Sequence, residues 1–203
     1  MSFTVAIMAG GKSRRMGTDK AFVPLLGSPM IEHVLVRVAD LGQTETFIVT
    51  NTPAPYAYLG LPLYTDVIPG AGSLGGIYSA LAHASTPHVI VIGCDLPLAS
   101  AALMRYLLAC AAEDDGPYDA VVPRFQKRLQ GLHALYNCSA QETIASQIAA
   151  QQYQIKAAFD LMHTRFVEEQ EYAHLVPDGR AFRNINTPQD LAAIEALLRA
   201  DQS

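Results

Sequence analysis

A chain of 203 residues, half of them hydrophobic and 16% charged, has the length of one domain with a sizeable core and too apolar a composition for a disordered segment. Its net charge of −5 argues against the broad basic face that binds long nucleic acids, and no stretch approaches the roughly 20 apolar residues of a membrane span. Three scattered cysteines, Cys94, Cys110 and Cys138, form no disulfide framework and fit a reducing compartment.

The first element is the apolar run Phe3-Thr4-Val5-Ala6-Ile7-Met8-Ala9, short and partly β-branched, which reads as a buried strand. It stops at Gly10-Gly11, where the chain can turn sharply and leave its N–H groups uncovered. Lys12, Arg14, Arg15 and Lys20 follow, against Asp19 as the one acid. A strand opening into a glycine turn lined with cations is a place to hold a polyphosphate. On an acidic chain this local positive site implies a small anionic substrate. The charges come after the apolar run, the reverse of a secretory signal, so a soluble cytoplasmic protein is expected.

Beyond this turn the helical and strand periods alternate. Pro29 to Leu41 reads as a helix, with Ser28 as its hydroxyl cap and Pro29 at its first position. Strands are expected over Thr46 to Thr50, Leu63 to Val67, His88 to Gly93 and Asp119 to Pro123, with helices over Leu74 to Ala84 and Ala101 to Ala112. Glu113-Asp114-Asp115-Gly116-Pro117 reads as a loop. Leu129 to Tyr136 is an antiparallel strand or an inserted hairpin, residues 150 to 183 carry no assignable pattern, and Thr187-Pro188 opens a last helix. The alternation implies a single domain over 1–203, a three-layer α/β/α sandwich with a mostly parallel, Rossmann-like central sheet.

Two motifs invite other readings. Lys12-Ser13 after glycine suggests a P-loop, but the glycine required five positions before Gly11 is Ala6, inside the strand. Gly70-Ala71-Gly72-Ser73-Leu74-Gly75 spells a dinucleotide fingerprint, with Asp95 twenty residues on, yet it follows the third strand while the better phosphate turn follows the first. It reads instead as a glycine-lined wall for a flat base. Cys94-Asp95-Leu96-Pro97 follows the apolar run to Gly93, at a carboxyl strand end where ligands bind. There Asp95 either holds Mg²⁺ against phosphates or serves as an ordinary turn or cap residue. Cys94 reads as a small buried side chain rather than a nucleophile. Asn51 and Asp66 end strands on the same edge and either contact a base or ribose or make turn bonds. The histidines, His33, His83, His88, His133, His163 and His174, have no metal-ligand spacing and read as surface or satisfied core residues.

Ala9-Gly10-Gly11-Lys12-Ser13-Arg14-Arg15-Met16-Gly17 with Asp19-Lys20 resembles the signature of nucleotidyltransferases with a GT-A-like fold, the nucleotide-diphospho-sugar transferase type. The double glycine followed by Lys-Ser is similar in particular to the molybdenum cofactor guanylyltransferases, the MobA family. Gly72-Ser73-Leu74-Gly75-Gly76, Cys94-Asp95-Leu96-Pro97, Gln130 to Tyr136, and Asn184-Ile185-Asn186-Thr187-Pro188-Gln189-Asp190-Leu191 match in order, over nearly the whole chain. The resemblance implies transfer of GMP from GTP to molybdenum-molybdopterin with release of pyrophosphate. It implies that Met8, Ala9, Gly10 and Gly11 hold the nucleotide and that Lys20, with Arg15, contacts phosphate. Asn51 and Asp66 then bind guanosine, Gly72 and Gly76 line the base pocket, Asp95 binds Mg²⁺, and Asn184 and Asn186 face the metal or pterin. Cofactor-delivery proteins or molybdoenzymes are the implied protein partners, with neither nucleic acid nor membrane involved. Met8 stands where leucine is usual, Gly93 and Gly131 where proline is frequent, and His133 where phenylalanine is frequent; the last three fall on the expected pterin side. Alternatives in the same fold are a cytidylyltransferase acting on the pterin and a sugar-phosphate nucleotidyltransferase. A non-catalytic nucleotide-binding partner protein and a dinucleotide oxidoreductase are the alternatives of other classes.

Overall fold

The structure, a computed structural model, describes residues 1–10, 19–112 and 117–200. In chain order it runs β1 (Phe3–Met8), a 3₁₀ turn (Lys20–Phe22), β2 (Pro24–Leu25), β3 (Ser28–Pro29), α1 (Met30–Val38) and β4 (Glu45–Val49). A second 3₁₀ stretch (Ala54–Leu59) leads to β5 (Leu63–Tyr64), α2 (Gly72–His83), β6 (His88–Gly93) and α3 (Ala101–Cys110). Then come β7 (Ala120–Phe125), β8 (Arg128–Leu129), β9 (His133–Asn137), α4 (Ala140–Ala149), α5 (Ile155–Phe159) and β10 (Thr164–Val167). The chain closes with α6 (Glu169–Tyr172), a third 3₁₀ stretch (Pro177–Phe182) and α7 (Pro188–Ala200).

The central sheet has the order β10-β7-β9-β6-β1-β4-β5, with β8 hairpinned onto β7. β1 pairs in parallel with β4 and β6, β4 with β5, and β7 with β10. β9 lies antiparallel between β6 and β7. Both faces of the inner strands are covered, which is why β1 and β6 read as continuous apolar runs rather than alternating ones. The pleat sends Val5, Ile7, Ile90 and Ile92 to one face, against Ile31 and Val34 of α1 and Leu103 and Leu107 of α3. Ala6, Val89 and Val91 go to the other, against Leu74 and Ile77 of α2 and Ile144 of α4. The expected three-layer sandwich with a mostly parallel sheet is what forms.

Several boundaries differ from expectation for local reasons. β5 stops at Tyr64 instead of continuing to Val67, because side chains capture the next donors: Asp66 N–H bonds Asn51 Oδ1 and Val67 N–H bonds Ser79 Oγ. Pro29 is the cap residue of α1 rather than its first helical residue, and no hydroxyl caps that helix, because Ser28 and Pro29 pair with β2. The segment Leu129 to Tyr136 supplies both alternatives, the end of the β7–β8 hairpin and most of antiparallel β9. Residues 150 to 183, unassigned from sequence, hold α5, edge strand β10 and α6. The loop expected at Glu113 to Pro117 lies, except for Pro117, outside the described residues.

Candidate active site

The carboxyl ends of β1, β4, β5 and β6 meet at one edge of the sheet. Ala9 N–H extends the ladder to Val49 O (2.9 Å), and Cys94 N–H reaches Met8 O (3.0 Å), so the ends of β1 and β6 are tied together. Gly10 is exposed beyond them. Gly11, Lys12, Arg14 and Arg15 lie outside the described residues, and the expectations placed on them stay with the sequence.

Lys20 opens the first 3₁₀ turn because Asp19 caps it: Asp19 Oδ1 accepts from Ala21 N–H at 3.1 Å. The Lys20 ammonium then lies 3.4 Å from Asp95 Oδ2 and donates to Asn186 Oδ1. Ile185 N–H bonds Asp95 O at 3.1 Å, which brings the C-terminal segment onto the end of β6. Asp190 Oδ2 accepts from the N–H groups of Asn186 (3.0 Å) and Thr187 (2.8 Å), while Thr187 Oγ1 accepts from Asp190 N–H (3.2 Å). This reciprocal cap starts α7 where Thr187-Pro188 predicts and holds the Asn186 backbone in place. Its hydrogen bonds keep the Asp190 carboxyl below the usual aspartate range, the Asn186 N–H being the largest cause. Asn184 is exposed on the other side of buried Ile185 and makes no hydrogen bond to Lys20 or Asp95 among the described residues. Of the two asparagines, Asn186 is the one hydrogen-bonded to Lys20.

Asn51 and Asp66 pair at the ends of β4 and β5: Asn51 Nδ2 donates to Asp66 Oδ2 at 2.7 Å and Asn51 Oδ1 accepts from Asp66 N–H at 3.0 Å. Asn51 is exposed and Asp66 half-buried. Gly76 is buried; a Cβ there would come within 2.3 Å of the Met8 methyl and within 3.8 Å of Asp66 Oδ1. At Gly76 the missing side chain lets Met8 lie across α2, and of the two glycines Gly72 is the exposed one.

Gly93, Gly131 and His133, expected on the pterin side, are all buried. Gly93 abuts the carboxylate, for a Cβ there would lie 2.7 Å from Asp95 Oδ1. Gly131 is buried against Ile155 and Phe159, and His133 is fully buried. His133 is also not a well-satisfied core histidine: neither ring nitrogen makes a hydrogen bond of ordinary geometry among the described residues, and burial, opposed in part by the nearby Ala181 backbone, lowers its pKa to about 4. Cys94 is buried as expected, and burial followed by the neighbouring carboxylates of Asp95 and Asp19 raises its thiol pKa, leaving it inert.

Sequence reasoning missed Ser79 and the two-sided use of Asp19. Ser79 stands in α2 with its hydroxyl donating to Gly75 O (2.8 Å) while holding Val67 N–H. A buried serine on an apolar helix face was the available signal. Among the described residues no three His, Cys, Asp or Glu side chains gather as a metal cage. Asp95 and Asn186 nevertheless both aim oxygens at the Lys20 ammonium, a spot that already holds positive charge. Mg²⁺ takes one or two carboxylates and completes its shell with phosphate and water, so this donor set fits it.

A mostly parallel sheet whose carboxyl edge gathers a lysine, an aspartate and an asparagine past the end of β1 defines a nucleotidyltransferase of the Rossmann-like α/β type. The chain belongs to the MobA-like NTP transferase family, whose domain pattern matches residues 5–169. It is 33% identical over 189 residues to the probable molybdenum cofactor guanylyltransferase of Carboxydothermus hydrogenoformans, covering 93% of each chain. The probable molybdenum cofactor guanylyltransferase of Pelotomaculum thermopropionicum is 32% identical over 200 residues, covering 98% of this chain and 94% of that one. The crystal structure of molybdopterin-guanine dinucleotide biosynthesis protein A from Archaeoglobus fulgidus superposes with a TM-score of 0.84 at 26% identity, covering 97% of this chain and 99% of that one.

Proposed function

We propose that the protein transfers GMP from GTP to molybdenum-molybdopterin, giving the guanine dinucleotide form of the cofactor and pyrophosphate. The observation that carries this reading is the convergence of Lys20, Asp95 and Asn186 at the sheet edge where β1 ends. The names of the related proteins supply the guanylyl group and the pterin acceptor.

An oxygen of the acceptor's phosphate attacks the α-phosphorus of GTP, and the bond from that phosphorus to the bridging oxygen breaks. The attacking oxygen is already anionic, so the protein needs no general base. Its task is to align the two phosphates and to neutralise the charge that builds on the leaving pyrophosphate. Lys20 binds the triphosphate, assisted by Arg15. Asp95 and Asn186 hold Mg²⁺, which when bound supplies further neutralisation of phosphate charge. The Asn51–Asp66 pair orients the guanosine, with Gly72 at the rim of its pocket. Both substrates are soluble small molecules; the protein works in the cytoplasm and its product passes to delivery proteins or molybdoenzymes.

Incubation with molybdenum-molybdopterin, Mg²⁺ and either GTP or CTP tests this. Pyrophosphate release and the guanine dinucleotide product are expected with GTP. Preferential release with CTP would transfer the reading to a cytidylyltransferase, and GTP binding without turnover would leave a carrier protein.

A further inference from the structure

One buried side chain grips both ends of the segment that joins β1 to Lys20. Tyr56 lies in the 3₁₀ stretch Ala54–Leu59 and is completely buried. Its hydroxyl donates to Asp19 Oδ2 at 2.6 Å and lies 3.4 Å from Ala9 O. Ala9 follows β1 directly, and Asp19 directly precedes Lys20. The other Asp19 oxygen caps the turn that begins at Lys20. The Tyr56 ring stacks obliquely on Phe22 of that same turn, with centroids 4.7 Å apart. Phenylalanine would fill the same volume; the hydroxyl adds a buried donor to a carboxylate, a charge-assisted bond worth roughly twice a neutral one.

We propose that Tyr56 is a positioning residue for Lys20: by holding Asp19 it sets where the turn starts, and so keeps the ammonium between Asp95 and Asn186. Without the hydroxyl, Asp19 Oδ2 faces a buried aromatic with no donor, which costs the desolvation of that oxygen. The carboxylate turns toward water and the lysine beside it shifts. The chemistry being positioned is recognition of the triphosphate, so the inference rests on the role given to Lys20 under Proposed function.

The test compares four proteins: wild type, Tyr56→Phe, Lys20→Gln and the double variant. Affinity for GTP with Mg²⁺ is read by displacement of a fluorescent GTP analogue, and melting temperature is read alongside. Tyr56→Phe is expected to weaken GTP binding about tenfold when Lys20 is present, and to change it less than about twofold when Lys20 is gone. Its melting shift should be the same in both backgrounds. An equal loss of affinity in both backgrounds, or none in either, overturns the inference. A wild type that binds no GTP overturns the reading of the site itself. A crystal structure of Tyr56→Phe checks the placement directly: an ammonium moved out of reach of Asn186 supports the inference, and an unmoved one sinks it. Asp19→Asn is the second variant should Tyr56→Phe not fold, since an asparagine offers one acceptor oxygen and cannot both cap the turn and accept from Tyr56.

Discussion

Lys20 and Asp95 bear the main electrostatic role in the proposed reaction and a small structural one. Their ion pair spans 3.4 Å with side chains still 24% and 20% exposed, so its contribution to stability is at most about 1 kcal/mol. Lys20→Ala and Asp95→Ala should therefore each lower kcat/KM by at least about a hundredfold while the melting temperature stays close to wild type; near-normal steady-state rates in either variant would remove that residue from the mechanism. His133 is the opposite case, a titratable group without access to ligand. Its folded pKa of about 4 lies below the ordinary 6.5, because burial penalises the charged ring. Between these values the unfolded chain binds a proton that the folded chain refuses, so stability rises with pH across that window. The stabilisation is complete above about pH 6.5, is lost as pH falls toward 4, and amounts to about 3 kcal/mol for a shift of this size. Denaturant titrations at several pH values should show this slope in wild type and a flatter one in His133→Phe, whose ring would join Phe182 without a titratable group. An unchanged slope would mean that His133 is solvated by some route.

Local elements divide into those whose end signals were strong and those governed by side-chain capture. β6 is observed over His88–Gly93, the span that its apolar run and glycine stop imply. α7 begins after Thr187 because Thr187 and Asp190 satisfy its first donors reciprocally. Thr187→Ala should cost about 1 kcal/mol in chemical denaturation, and turnover should fall as well, since the same cap holds Asn186 beside Lys20. Loss of stability with unaltered turnover would separate Asn186 from the site. The β7–β8 hairpin carries a different burden. Gln126 and Lys127 both adopt positive φ, 47° and 64°, in the two-residue turn closed by Phe125 and Arg128. That mirror-image turn favours Asn-Gly, and a side chain in the left-handed region costs of order 1 kcal/mol. Lys127→Gly should raise stability by about that amount; a lower melting temperature would indicate that the lysine makes compensating contacts.

Among the described residues, three apolar clusters bind distant parts of the chain. The third joins Val23, Leu25 and Met30 from the N-terminal region, Leu98 after β6, and Ile185, Ile194 and Leu198 from the C-terminal end. Since α7 closes on residues near the start of the chain, the two ends should not unfold separately. A single calorimetric transition is expected, with matching calorimetric and van't Hoff enthalpies; two resolved transitions would break the one-domain reading. The same closure delivers Asn186 to Lys20, 166 positions earlier in the chain.

Hydrophobic period and end signals are local, and local patterns were enough to specify most helices and strands and the layered α/β class. They allowed an antiparallel strand over Leu129 to Tyr136 but could not place it between β6 and β7, because an apolar strand carries no record of which neighbours it will pair with. Nor could they choose Asn186 over Asn184, or Tyr56, fully buried, over Tyr58, which is 58% exposed. Those outcomes depend on which side chains meet across the sheet edge, and such meetings are set by long-range packing and by the need to pair buried polar groups rather than by the neighbours of any one residue.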